Sequence, residues 1–233
     1  MLKNPPKVAL YAHQGCNDFV FNIPFALLQS DYQGQKLFEL SLCSLNGQKV
    51  KSHLGMEIPV QYDLDLFTQV DVIVIAGWQT DEMPDKALLN ALKQANERGT
   101  KIIALCYGTY VLAYAGILQG KTATTHWLAE DDFRQRFPSI HLDNNRLYVD
   151  DGNILTSAGA SGGLDCLLHW IRQLYGANVA NDLARILVAP PHGKADKRSL
   201  FVNLSQSILK IVKLIPCWIF CVKILPKHTA WTI

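Results

Sequence analysis

A single cysteine interrupts the apolar run GTKIIALCYGTYVLAYAGIL, residues 99–118. Cys106 falls between a predicted strand ending at Leu105 and a predicted helix beginning near Gly108. A thiol on such a turn can be a nucleophile, because a strained elbow needs small residues two before and two after it, here Ala104 and Gly108. The N–H groups that open the following helix would favour a thiolate. A buried structural cysteine fits the same position, and residue type alone leaves both open.

A nucleophilic cysteine needs a base or a cation beside it, and the chain has seven histidines. His126, in TATTHW, ends a predicted strand and so reaches the carboxyl edge that Cys106 occupies, where open α/β sheets bind ligands. Its alternative is a histidine that caps the strand end. His13 follows the first predicted strand at the same edge. His169 lies on an apolar helical face and reads as packed, and His53, His141, His192 and His228 have no evident partner.

Short β-branched runs alternate with helical segments, the pattern of a parallel sheet covered on both faces. Strands are predicted over 7–12, 37–44 and 71–76, with helices over 22–30 and 84–98. The opening run follows, then a short strand at 122–125, a helix over 129–137, a hairpin of 146–149 with 153–157 on an Asp150-Asp151-Gly152 turn, and helices over 163–174 and 177–188. One α/β domain is expected, a three-layer sandwich with a mostly parallel sheet.

Composition narrows the function classes. The 233 residues are 49% hydrophobic and 18% charged, with a formal net charge of +2, which suits one sizeable core and offers no concentrated basic face for nucleic acid. The six cysteines are too sparse for a disulfide framework and lack paired C-x-x-C spacing for zinc. No metal and no cofactor are therefore expected, and a reducing cytoplasm suits the chain best. The N-terminus has no long apolar core with a cleavage site. Residues 208–225 are apolar but broken by Lys210, Lys213, Pro216 and Lys223, so no membrane span is expected.

ALCYGTYVLAYAGIL, LQGKTATTHW, the FP after the next helix, LYVDDGNILTSAGASGGLD and YGANVANDLARILVAPPH together resemble the ThiJ/PfpI domain of amidase-type AraC-family transcriptional regulators, over roughly residues 6–202. The resemblance implies a flavodoxin-like fold of the class I glutamine amidotransferase-like superfamily, with Cys106 on a nucleophile elbow and His126 nearby. It also implies a domain that senses a small ligand, forms a homodimer and is followed in such regulators by a DNA-binding pair of helix-turn-helix units. Three positions depart from that pattern. Val20 stands four residues before Pro24, where enzymatic relatives carry an acid; Ala76-Gly77-Trp78 replaces Pro-Gly-Gly, and Trp78 is expected to narrow the pocket. No helix-turn-helix pattern follows Pro191, so no DNA binding is assigned to this polypeptide.

Two functions remain from this reading. The chain is a ligand-sensing, dimerising domain of a regulator without its DNA-binding part, or it is a cysteine-dependent amidase-like C–N hydrolase or redox sensor. The enzyme would use Cys106 as nucleophile, His126 as proton shuttle, and the Gly77 and Tyr107 amides as oxyanion donors. Residues 203–233 lose all acidic side chains and follow neither helical nor strand period for long. They are expected to be an anomalous tail, a frameshifted or truncated remnant, with a natural short variant as the alternative.

Overall fold

The computed structural model describes residues 4–189. The tail at 203–233 lies outside the described residues. In chain order the main elements are β1 (Lys7–Tyr11), α1 (Asp18–Leu28), β2 (Glu39–Cys43), β3 (Val72–Ala76), α2 (Lys86–Glu97), β4 (Lys101–Leu105), α3 (Gly108–Tyr114), α4 (Glu130–Arg136), β5 (Tyr148–Asp151), β6 (Ile154–Ser157), α5 (Ala160–Tyr175) and α6 (Ala177–Ile186). The sheet runs β5-β6-β4-β3-β1-β2, parallel throughout except for the antiparallel edge strand β5. Every residue of β3 is buried, as a central strand of a doubly covered sheet requires.

The two-residue period of the strands divides the core. Val8, Leu10, Val74, Ile103 and Leu155 pack on α1, α5 and α6, whereas Ala9, Ile73, Ile75, Ile102 and Ile154 pack on α2, α3 and α4. A mostly parallel three-layer α/β sandwich results, as expected.

Local chemistry moves several boundaries. Helix α1 begins at Asp18, four residues before its predicted start, because the Asn17 side chain accepts the Val20 N–H at 3.1 Å and caps it. Pro24 consequently sits inside the helix and leaves the Val20 carbonyl without its usual i+4 donor. In the hairpin, Asp151 pairs with Ile154, so the turn is Gly152-Asn153 rather than Asp150-Asp151-Gly152. Gly152 has φ 69°, the left-handed geometry that two-residue hairpin loops demand. Two further pairs of two-residue strands, within 31–36 and 50–58, have no counterpart in the sequence pattern. The outer rim of β2 is covered at its C-terminal end, where Gln61 N and Tyr62 N both donate to Leu42 O and Ser44 N donates to Tyr62 O.

Asp150 braces the hairpin to the rest of the domain. One carboxylate oxygen takes Lys101 Nζ at 3.2 Å, and the other takes His169 Nε2 at 3.1 Å and Gln173 Nε2 at 2.8 Å. His169 is thus paired across to β5. Burial would raise the Asp150 carboxyl, but the hydrogen bonds from Gln173, His169 and Lys101 outweigh it and hold the group below its ordinary value. Asp150→Ala is expected to cost about 2 kcal/mol at pH 7, by urea unfolding. A depressed folded pKa stabilises above the unfolded carboxyl value of about 4 and loses that contribution as pH falls below it, so the difference between the two proteins should vanish in acid. A gap that persists unchanged at low pH would refute the assignment.

Candidate functional site

Strand β4 delivers Cys106 to the carboxyl edge of the sheet with φ 58°, a left-handed geometry that a side-chain-bearing residue adopts only where its surroundings hold it. Here they do so through the backbone. Cys106 N donates to Ser157 O at 3.1 Å, and the Cys106 carbonyl accepts the Thr125 hydroxyl at 3.1 Å and the Thr109 hydroxyl at 3.3 Å. Two residues on, Gly108 lies so close to β3 that an added Cβ would stand 2.5 Å from Ile75 O. The elbow geometry expected from Ala104 and Gly108 is present.

The sulfur lies in a buried setting. Cys106 is 5% exposed, and burial raises its thiol to about 11 against a smaller downward pull from the Tyr107 N–H. Val20, four residues before Pro24, is buried in the same apolar cluster as Cys106 and packs beside Gly77. Asp18 instead accepts the Leu54 N–H at 3.0 Å.

His126 follows Thr125 and therefore sits beside the elbow. Its Nδ1 is 3.3 Å from both the Leu128 N–H and the Tyr107 hydroxyl, and its ring lies 5.0 Å from the Tyr107 ring. An Nδ1 that accepts an amide proton leaves the proton of the neutral ring on Nε2.

The remaining site residues divide differently from expectation. The Gly77 N–H donates to Leu105 O at 3.0 Å, so this donor is consumed by the sheet and is not available to an oxyanion. The next amide, that of Trp78, makes no hydrogen bond among the described residues. The Trp78 ring turns to His13, with centroids 4.6 Å apart, and its Nε1–H donates to Glu82 O at 2.8 Å. His13 and Trp78 line a cleft of about 400 Å³ over β1 and β2, to which Cys106 and His126 contribute no wall. At this edge Tyr107 and His126 stand together at the elbow of Cys106, and His13 and Trp78 stand together at the cleft. No group of three or more metal-ligating side chains exists among the described residues.

An elbow after the fourth strand, at the carboxyl edge of a six-stranded doubly covered sheet, defines a class of α/β proteins, and relatives narrow it. The family model for the DJ-1/PfpI family matches residues 6–173, and the chain belongs to that family. Among curated proteins it is 30% identical over 145 residues to the HTH-type transcriptional regulator CdhR of Pseudomonas aeruginosa, covering 62% of this chain and 43% of that protein. It thus matches less than half the length of that regulator. The isonitrile hydratase of Pseudomonas putida is also 30% identical, over 133 residues, covering 56% of this chain and 57% of the hydratase. The crystal structure of an AraC family transcriptional regulator from Pseudomonas putida shares the fold, with a TM-score of 0.68, 22% identity and coverage of 78% of this chain and 100% of that one. Among the described residues no helix is long and apolar enough to cross a membrane.

Proposed function

We propose that the domain, with residues 1–202 as its extent, is the ligand-sensing and dimerising module of an AraC-type transcriptional regulator rather than a cysteine enzyme. The observation that carries this reading is the setting of Cys106: it is 5% exposed in an apolar cluster with Val20, while Asp18 is turned to the Leu54 N–H. Burial in that setting pushes the thiol up, to about 11, which disfavours the thiolate that a nucleophile needs. The likeness to CdhR supports the regulator side. A cytoplasmic setting accords with the four described cysteines, all unpaired.

The alternative draws on the likeness to isonitrile hydratase and on the strained φ of Cys106. Two measurements on the whole chain separate them. Alkylation of Cys106 by iodoacetamide, followed on its own peptide by mass spectrometry, is expected to accelerate up to and beyond pH 10. Incubation with an alkyl isonitrile is expected to give no hydration above the Cys106→Ser background. A thiol midpoint near 5, or turnover that Cys106→Ser abolishes, would replace the sensor with an enzyme.

A further inference from the structure

We propose that the cleft over β1 and β2 binds a small protonated organic amine, whose N–H donates to Nε2 of His13 and whose charge faces the carboxylates of Glu82 and Asp85. His13 is 6% exposed. Its Nδ1–H donates to Gln14 O at 3.1 Å, and its Nε2 is buried with no hydrogen-bond partner among the described residues. Bonded in that way, the neutral ring presents Nε2 as an acceptor only. Burial drives His13 down to about 4, so it is neutral near pH 7, and a bare buried acceptor is a rarity in native interiors. The missing partner is accordingly a donor.

The walls decide its charge. Among the lining residues Lys49 is the only permanent cation, and its ammonium is held by both oxygens of Glu57 at 2.9 and 2.8 Å. Glu82 and Asp85 make no ion pair among the described residues. Their charges are felt at the cleft wall, where the Tyr11 hydroxyl is raised by burial foremost, then by Cys43, Asp85 and Glu82. A volume of about 400 Å³ lies in the range of small-molecule sites, roughly 300–1,000 Å³. Nε2 is buried, so side chains around His13 must move aside as the amine enters. The site deepens the sensor reading and rests on it only for its regulatory meaning.

Calorimetry on the whole chain at pH 7.5, with phenethylamine, its N,N,N-trimethyl derivative and 3-phenylpropanoate as probes, tests the cleft. Saturable binding is expected for the amine, weaker by about tenfold for the trimethyl compound, which has the charge but no N–H, and weakest for the carboxylate. His13→Phe should weaken the amine by about tenfold, and Glu82→Gln, at an exposed position, by about threefold without disturbing the fold. Saturable heat from none of the probes, tightest binding of the carboxylate, or equal amine binding by both variants would overturn the proposal. Amine binding that Cys106→Ser abolishes and His13→Phe spares would also overturn it, while leaving the sensor reading intact. Isonitrile turnover with amine binding unchanged would remove the sensor reading and keep the cleft.

Discussion

Gly108→Ala is expected to destabilise the domain by about 3 kcal/mol, lowering Tm by roughly 6–12 °C. The added methyl would stand 2.5 Å from the carbonyl oxygen of Ile75. That oxygen belongs to the backbone of β3, whose residues are all buried, so neither partner can turn aside as a flexible side chain would. Relief comes only from moving α3 away from the sheet, and that movement drags the Cys106 turn with it. Differential scanning calorimetry of the variant against the parent chain decides the point. A Tm change under 2 °C would mean that α3 and β3 are not locked at this contact.

Between pH 6.5 and pH 4 the domain should lose about 3 kcal/mol through His13 alone. Burial lowers this imidazole from its ordinary value to about 4, so across that window the unfolded chain binds a proton that the folded chain refuses. A folded pKa below the unfolded one gives stability that is complete above about pH 6.5, falls as pH drops toward 4, and falls no further below it. His13→Phe keeps an aromatic ring against Trp78 and removes the titration, so its urea midpoint should hold level across the window where the parent's declines. Parallel pH profiles for the two proteins would show that the imidazole is not protected from protonation.

How much of this was legible in the sequence depended on whether a feature is local. VIVIA in β3 and the heptad-like apolar spacing of α2 report burial directly. The elbow was legible too, because Ala104 and Gly108 are small where a tight turn must pass under a neighbouring strand. The partition of the site residues was not. Chain order puts His13, Trp78, Cys106 and His126 on one sheet edge, but the sheet order sets β1 two strands from β4 with β3 between them, and Trp78 leaves β3 toward His13. Nor does composition reveal that the Gly77 amide is taken by Leu105 O, a fact of strand register. The hairpins within 31–36 and 50–58 are two residues per strand, too short for any period to show.

The cover over β2 bears on how two copies of this domain could meet. With Gln61, Tyr62 and Ser44 already bonded along that rim, and with the opposite edge only four residues long and its Asp151 carbonyl bonded to Lys121 Nζ, neither side of the sheet presents a long open row of amides to a neighbour. Edge-to-edge growth, the route by which exposed strands template aggregation, is blunted at both ends. A contact between two copies made instead by side chains of the helical layers and loops would need no ladder of backbone hydrogen bonds.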